Sequence, residues 1–277
     1  MQIDAHQHFW RLARGDYAWL TPELGPIHRD FGPHDLRPLL AAAGVERTVL
    51  VQAVPTAAET DFLLDLAADE PLVAGVVGWV DFEAPDAAHR IAALAARPKL
   101  VGLRPMMQDL LDDRWMLGEA ITPALHAMAD EGLTFDALIF PRHLPILRVF
   151  ARRYPGLDIV IDHGAKPDIA GGALGDWARE IRAIADETRL VCKLSGLVTE
   201  AGPGWSAEVL RPYVEVLVEA FGADRLMWGS DWPVVTLAGS YAAWRRAAET
   251  LLAGLSDDER DAIFGQTASV FYGLDRS

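Results

Sequence analysis

The sequence of 277 residues predicts an α/β fold, a closed (β/α)8 or TIM barrel that forms a single domain over residues 1–277. Three observations support this prediction. β-Rich segments alternate eight times with helical patterns, several of these segments are continuously apolar like strands buried on both faces, and no low-complexity linker divides the chain. The alternative is an open doubly wound sheet, which the lack of a glycine-rich phosphate loop after the first strand disfavours.

The predicted strands are rich in apolar and β-branched residues. They cover residues 2–6, 47–54, 72–81, 100–104, 133–138, 158–162, 189–194 and 226–230. Helical patterns fill the intervals between them. Apolar residues recur at helical spacing over residues 36–43, where Gly44 is placed to end the helix. A second apolar stripe covers residues 213–221, and Pro212 is predicted in the first turn of that helix.

Composition excludes several classes of protein. A hydrophobic content of 51% is too high for a disordered chain, and one cysteine cannot form an internal disulfide bond. Acidic residues outnumber basic ones by 40 to 25, which argues against a nucleic-acid partner. The longest apolar run, residues 72–80, is far shorter than the ~20 residues of a membrane helix, and no basic leader precedes an apolar stretch. We therefore expect a cytoplasmic protein with no membrane partner; a homo-oligomer is compatible with these features.

Four residues at strand ends form the candidate catalytic cluster. The active site of a (β/α)8 barrel lies at the carboxyl ends of its strands. His6 and His8 are two residues apart on the first strand, so their side chains point to the same side. His163 follows the sixth strand and Asp231 the eighth. Three imidazoles and one carboxylate suit either a divalent transition metal or proton transfer without a metal.

Further residues at strand ends are candidates for binding a small-molecule substrate: Gln52, Trp79, Asp81, Arg104, Lys193 and Trp232. Arg104 offers a fork of donors for a carboxylate or vicinal hydroxyls, and Lys193 offers a point charge for a single oxygen. Both are equally compatible with ordinary salt bridges. Asp81 is also compatible with a helix cap, and the two tryptophans are predicted as pocket walls.

The remaining histidines have no matching context and are predicted on the surface or in loops: His28, His34, His89, His126 and, behind the fifth strand, His143. Residues 9–34 form a long connection after the first strand and contain Trp10, Tyr17, Trp19 and Phe31. Connections of this length often have a functional role. We therefore expect this segment to cover the substrate.

Three segments carry a resemblance to a known family. His6-Gln7-His8, Val160–Gly164 and Gly229–Pro233 together resemble the amidohydrolase superfamily, and within it the branch of lactonases. The resemblance runs over essentially the whole chain, in order. It implies a barrel of the metal-dependent-hydrolase type that opens the ring of a sugar lactone, such as L-fuconolactone or a related aldonolactone, to the sugar acid. By this resemblance His6, His8, His163 and Asp231 correspond to metal-ligand positions.

The sequence departs from the members of this superfamily that bind two metals. The fifth strand, residues 133–138, has no lysine that could be carbamylated, and the seventh strand has Lys193 in place of a histidine. A two-metal site is therefore not expected. A single Zn²⁺ ion is compatible with the resemblance, which does not make the metal a strict requirement because some members of the branch work without one.

The resemblance also gives roles and alternatives. Asp231 is the expected general base, and His163 is the second expected catalytic residue. One alternative is a hydrolase or decarboxylase of the same superfamily that acts on a dicarboxylate such as 2-pyrone-4,6-dicarboxylate. Such a substrate would need several arginines, whereas the sequence places Arg104 near the site and offers Arg142 as one further candidate. The other alternative is a non-catalytic barrel that binds a small molecule.

Overall fold

Eight parallel strands form one sheet in the order of the sequence, and the computed structural model describes residues 1–274. The strands are β1 Ile3–Gln7, β2 Arg47–Val51, β3 Val73–Gly78, β4 Leu100–Leu103, β5 Thr134–Ala137, β6 Ile159–Ile161, β7 Val191–Leu194 and β8 Leu226–Trp228. Nearly every strand residue is buried, as expected for strands covered on both faces. The predicted (β/α)8 fold is confirmed.

The ends of β1 and β8 meet and nearly close the barrel. The His8 amide donates to the Trp232 carbonyl at 2.7 Å, and the Asp231 amide donates to the His6 carbonyl at 2.8 Å. A parallel bridge between Gln7 and Trp232 continues this pairing. Backbone pairing between the first and last strands therefore places His6 of β1, and His8 directly after it, beside Asp231.

Helices surround the strands. They are α1 Pro33–Ala43, α2 Ala57–Ala68, α3 Ala87–Ala95, α4 Thr122–Asp130, α5 Leu144–Arg153, α6 Gly175–Glu187, α7 Leu197–Ala201, α8 Ala207–Phe221, α9 Tyr241–Leu251, α10 Asp257–Asp261 and α11 Thr267–Tyr272. Helix α1 ends at Gly44 in the left-handed conformation, as predicted. No helix within residues 1–274 has the length and apolar character needed to cross a bilayer.

The predicted start of α8 is wrong. The helix begins five residues before Pro212, which lies inside it. Its N-cap is Ser206, whose hydroxyl accepts a hydrogen bond from the Val209 amide. A serine N-cap satisfies an amide that the first turn leaves without a helical partner, so the helix starts there.

Strands β2 and β3 are shorter than predicted because side chains capture the next backbone amides. After β2, the amides of Ala53 and Val54 donate to the Glu59 carboxylate at 2.9–3.1 Å. After β3, the Trp79 amide donates to the Thr60 hydroxyl at 2.8 Å. These amides are no longer available to a strand ladder, so the chain turns away into loops at the carboxyl face of the barrel.

Residues 9–34 fold over that face. Trp10 and Phe31 form a two-way backbone bridge at 3.0–3.1 Å, which closes the segment into a loop. The Trp10 ring packs edge-on against the rings of Trp19 and Phe31, with centroids 5.5 Å apart in each pair. The Trp19 indole donates to the Ala53 carbonyl at 2.8 Å, which ties the segment to the loop after β2.

Candidate active site

Asp231 lies at the centre of the predicted catalytic cluster. It follows β8, with a positive φ of 56°, and it is 5% exposed. Its Oδ1 lies 3.3 Å from His8 Nε2, 3.8 Å from His6 Nε2 and 4.0 Å from His163 Nε2. The structure thus brings together the four residues that the sequence singled out, from β1, the loop after β6 and the loop after β8.

A second partner orients each imidazole. His8 Nδ1 lies 2.7 Å from the Val51 carbonyl, which can only accept, so Nδ1 carries the proton and the Nε2 lone pair faces Asp231 in the neutral ring. His163 Nδ1 pairs with the Ser195 hydroxyl at 2.8 Å, and His6 Nδ1 with Lys193 Nζ at 3.1 Å. Such outer partners fix ring orientation in catalytic and metal sites.

Two glycines make room for these rings. A Cβ on Gly196 would lie 2.6 Å from Cγ of His163, and Gly196 also has a φ of 69°. A Cβ on Gly229 would lie 2.7 Å from the His6 Cβ. Either substitution would displace an imidazole of the cluster, so both positions require glycine.

A buried charge network lies beneath the cluster. Lys193 Nζ contacts Asp136 Oδ2 at 2.6 Å, Asp162 Oδ1 at 2.9 Å and His6 Nδ1 at 3.1 Å. Asp162 Oδ2 also accepts a hydrogen bond from Arg104 Nη1 at 3.2 Å. Two cations therefore balance two fully buried carboxylates, and a buried ion needs such a partner in order to be tolerated.

This environment sets the protonation of the cluster. Burial would raise the pKa of Asp231, but the surrounding imidazoles outweigh it and hold that pKa below its usual range. Burial lowers the pKa of His163 to about 4, although the Asp231 carboxylate opposes that shift. Burial, together with the charge of Lys193, lowers the pKa of His6 well below its usual value. At neutral pH the site therefore holds an ionised Asp231 carboxylate beside the neutral imidazoles of His6 and His163.

A cavity of about 560 Å³ opens above the cluster. Its lining comprises His8, Ala18, Trp19, Ala53, Val54, Pro55, Arg104, Met106, Gln108, Asp109, Leu138, His163, Lys166, Asp231 and Val234. The floor is polar and the walls are mainly apolar, which is the usual character of a small-molecule site. Ala18 and Trp19 belong to the 9–34 segment, and they place it in the cavity wall.

Arg104 is the predicted substrate-binding residue that lines the cavity. Its Nη2 donates to the Gln52 carbonyl, and the Gln52 side-chain amide donates back to the Arg104 carbonyl at 2.8 Å. Gln52 is fully buried and does not line the cavity. The position of Gln52 therefore fits a role in holding Arg104, and it does not fit the predicted contact with substrate.

The other predicted substrate contacts lie away from the cavity. Lys193 is fully buried beneath His6, and Trp232 is buried against Phe9 and Phe31. Asp81 is exposed, and its carboxylate accepts a hydrogen bond from the Glu83 amide at 3.1 Å, so that it stabilises a local turn. Trp79 is half-buried and its backbone is tied to Thr60.

His143, predicted on the surface or in a loop, lies in the turn Pro141–His143 after β5, but it is not at the surface. His143 is 1% exposed. Its Nδ1 accepts a hydrogen bond from the Phe140 amide at 3.0 Å, and its Nε2 lies 2.9 Å from the Asp113 carboxylate. These contacts tie the start of α5 to the loop before α4, so that the residue is structural.

Lys166 and Gln108 line the cavity but are not among the residues predicted from the sequence. Lys166 follows His163 by three residues, in a loop whose glycines and proline mark it as irregular. Gln108 lies in the loop after β4. Proximity to His163 along the chain is the signal that could have identified Lys166, whereas no sequence pattern marks Gln108.

The donor set fits one metal ion. One ligand atom each from His6, His163 and Asp231 lies within 4.8 Å of the others, all three residues are buried, and His8 Nε2 adjoins them. Nitrogen and carboxylate ligands of this kind suit Zn²⁺. On β5 the carboxylate of Asp136 is bound by Lys193 and by the Tyr272 hydroxyl at 2.7 Å, and so it is not part of this donor set.

Comparison with known proteins identifies the family of this chain. The family model for amidohydrolases matches residues 3–274. The chain belongs to the amidohydrolase family. This amidohydrolase is 51% identical over 279 residues to an L-fucono-1,5-lactonase of Burkholderia ambifaria, with 99% of this chain and 96% of the relative covered. It is 40% identical to an L-fucono-1,5-lactonase of Burkholderia multivorans, with the same coverage.

A solved structure of a relative contains zinc, the metal that suits the donor set of this chain. The crystal structure of an amidohydrolase from Burkholderia multivorans with bound zinc aligns with this amidohydrolase at a TM-score of 0.93. The two sequences are 38% identical, and the alignment covers 99% of each chain. A relative with the same fold thus binds zinc, and the His and Asp donor set is present in this chain.

Proposed function

We propose that this amidohydrolase hydrolyses a sugar lactone, with L-fucono-1,5-lactone as the substrate and Asp231 as the general base. The observation that carries the proposal is the ionised Asp231 carboxylate, held among three imidazoles at the floor of the cavity. The two Burkholderia lactonases supply the substrate class. A cytoplasmic location stays a prediction.

The chemistry follows from the positions of the cluster. Water adds to the lactone carbonyl carbon while Asp231 accepts a proton from it. The bond from the carbonyl carbon to the ring oxygen then breaks, and Asp231 returns that proton to the ring oxygen as it becomes the hydroxyl of the sugar acid. Arg104 lines the cavity, and its positive charge favours the oxygen that gains negative charge during the addition.

His6, His163 and Asp231, with His8 beside them, would hold a zinc ion. When bound, the metal polarises a carbonyl oxygen and lowers the pKa of water. The protein residues keep the roles given above: Asp231 accepts and returns the proton, and the cavity walls restrict access of bulk water.

The dicarboxylate alternative finds less support in the cavity. Arg104 is the one arginine among the described residues that line it, and its two terminal nitrogens already bind Asp162 and the Gln52 carbonyl. Arg142 is half exposed, pairs with Asp113 and does not line the cavity. A planar dicarboxylate would therefore meet a single guanidinium among the described lining residues, and two of its five N–H donors are already used.

The test is an assay of acid release by the purified protein. L-Fucono-1,5-lactone is expected to be hydrolysed with kcat/KM of at least ~10⁴ M⁻¹s⁻¹, an ordinary value for an enzyme on its own substrate. We expect 2-pyrone-4,6-dicarboxylate to be turned over at least a hundred times less efficiently. Running both substrates with and without a chelator measures the contribution of metal. The opposite preference would establish the dicarboxylate function instead.

Activity is expected to depend on pH in the acid range. His163, with its pKa near 4, is neutral above about pH 5 and gains a proton as the pH falls towards 4. A charged imidazole beside Asp231 makes that carboxylate a weaker base. After subtraction of spontaneous hydrolysis, kcat/KM should therefore fall as the pH is lowered from 5 to 4, while circular dichroism shows that the fold is retained. Unchanged kcat/KM over this interval would contradict this protonation scheme.

A further inference from the structure

The cavity has a polar side that the catalytic steps do not use. His8, Arg104, His163 and Asp231 form the floor, and most of the other lining residues are apolar. The exceptions are Lys166, Gln108 and Asp109. A sugar lactone carries several ring hydroxyls, and burying a hydroxyl without a partner is unfavourable. These hydroxyls therefore need donors and acceptors away from the floor.

The backbone holds Lys166 firmly beside the catalytic cluster. Lys166 follows the turn Asp162–Ala165, and its amide donates to the His163 carbonyl at 2.9 Å. Its φ of 52° is uncommon for a residue with a side chain. Its position is therefore coupled directly to His163.

The side chain of Lys166 is aligned by Gln108 from a different strand loop. Lys166 Nζ donates to Gln108 Oε1 at 2.7 Å, and the side-chain Nε2 of Gln108 donates to Asp109 Oδ2 at 3.4 Å. The backbone amide of Gln108 donates to the Leu138 carbonyl at 3.1 Å, which fixes the loop. An ammonium group has three N–H donors, and the hydrogen bond to Gln108 uses one of them.

We propose that Lys166, aligned by Gln108, binds the ring hydroxyls of the sugar and makes the site selective for hydroxylated lactones. This inference rests on the proposed lactonase function. The ammonium group donates hydrogen bonds to hydroxyl oxygens, and the side-chain amide of Gln108 offers a donor and an acceptor beside it. The apolar walls formed by residues such as Trp19, Val54 and Met106 contact the carbon faces of the ring.

The test compares two lactones with the same six-membered ring, L-fucono-1,5-lactone and δ-valerolactone, which has no hydroxyls. Lys166→Met keeps the length of the side chain and removes its donors. We expect KM for L-fucono-1,5-lactone to rise about 10- to 100-fold, as for loss of a hydrogen bond to a charged group, while kcat changes less than about threefold. We expect kcat/KM for δ-valerolactone to stay within about twofold.

Two further variants keep the test decisive. Gln108→Leu should also raise KM for the sugar lactone. This variant tests the proposal if Lys166→Met does not fold. Lys99→Met is the matched control, because Lys99 is another lysine with positive φ and donates to the Ala67 carbonyl at the opposite end of the barrel. It should leave the ratio of the two substrates unchanged.

The outcomes separate two failures. If the wild-type protein does not hydrolyse L-fucono-1,5-lactone, the proposed function is wrong, and this inference is wrong with it. If the wild type hydrolyses it and Lys166→Met lowers kcat/KM equally for both lactones, or reduces kcat at unchanged KM, only the role of Lys166 in hydroxyl binding is overturned.

Discussion

Replacing Asp231 with asparagine is expected to lower kcat for L-fucono-1,5-lactone by about 10²- to 10⁴-fold, the range for loss of a general base. The amide keeps the shape of the side chain but cannot accept a proton from water. KM should change little, because the walls and polar side of the cavity remain. Steady-state kinetics at pH 7.5, far above the pKa of His163, measures the effect.

The matched control for this change is Asp81→Asn. Asp81 also follows a barrel strand, but it is exposed and stabilises a local turn through Glu83. The Asp81 variant should retain wild-type kcat and KM. Equal activity of the Asp231 variant and the wild type would show that another group activates water.

Replacing Lys193 with methionine is expected to destabilise the fold by about 3–5 kcal/mol, the usual cost of removing one partner from a buried ion network. The change leaves Asp136 and Asp162 buried together with only Arg104 as a counter-charge to Asp162. For a chain of this size the loss corresponds to a fall in Tm on the order of 10 °C. Chemical denaturation and thermal unfolding measure it.

An exposed ion pair provides the comparison. Arg182 pairs with Glu219 at 2.7 Å, and both side chains are about half exposed or more. Exposed ion pairs contribute little to the stability of a fold. Arg182→Met should therefore change the free energy of unfolding by less than about 1 kcal/mol. Equal effects of the Lys193 and Arg182 substitutions would contradict the view that Lys193 holds the charge network together.

The fold could be predicted from the sequence because its signals are local and repeated. Each strand is a short apolar run, and each helix carries an apolar stripe with recognisable ends such as Gly44. The helix start at Ser206 was missed, because a proline inside the first two turns resembles a proline at the helix start.

The cluster could be predicted because strand ends in a barrel converge. All four residues of the cluster lie at strand ends, and the structure places His6, His8 and His163 within 4.0 Å of the Asp231 carboxylate. Whether each forms part of the catalytic machinery stays a prediction until the variants are assayed.

The depth at which a side chain lies within the barrel could not be predicted from the sequence. Alternation along β7 indicates that Lys193 points inward, but it does not say whether the side chain ends in the cavity or below the layer of His6. Gln108 lies on a loop after β4, and its approach to Lys166 depends on tertiary packing between two loops. Sequence periodicity carries no information on such contacts.

The most direct test of the central claim is a single turnover in H₂¹⁸O with wild-type enzyme in excess over L-fucono-1,5-lactone. If Asp231 acts as a general base, one ¹⁸O atom enters the carboxylate of the L-fuconate product, and mass spectrometry of the peptide containing Asp231 shows no label. If the first turnover instead leaves the product unlabelled and places ¹⁸O in Asp231, the residue acts as a nucleophile, and the proposed mechanism is wrong.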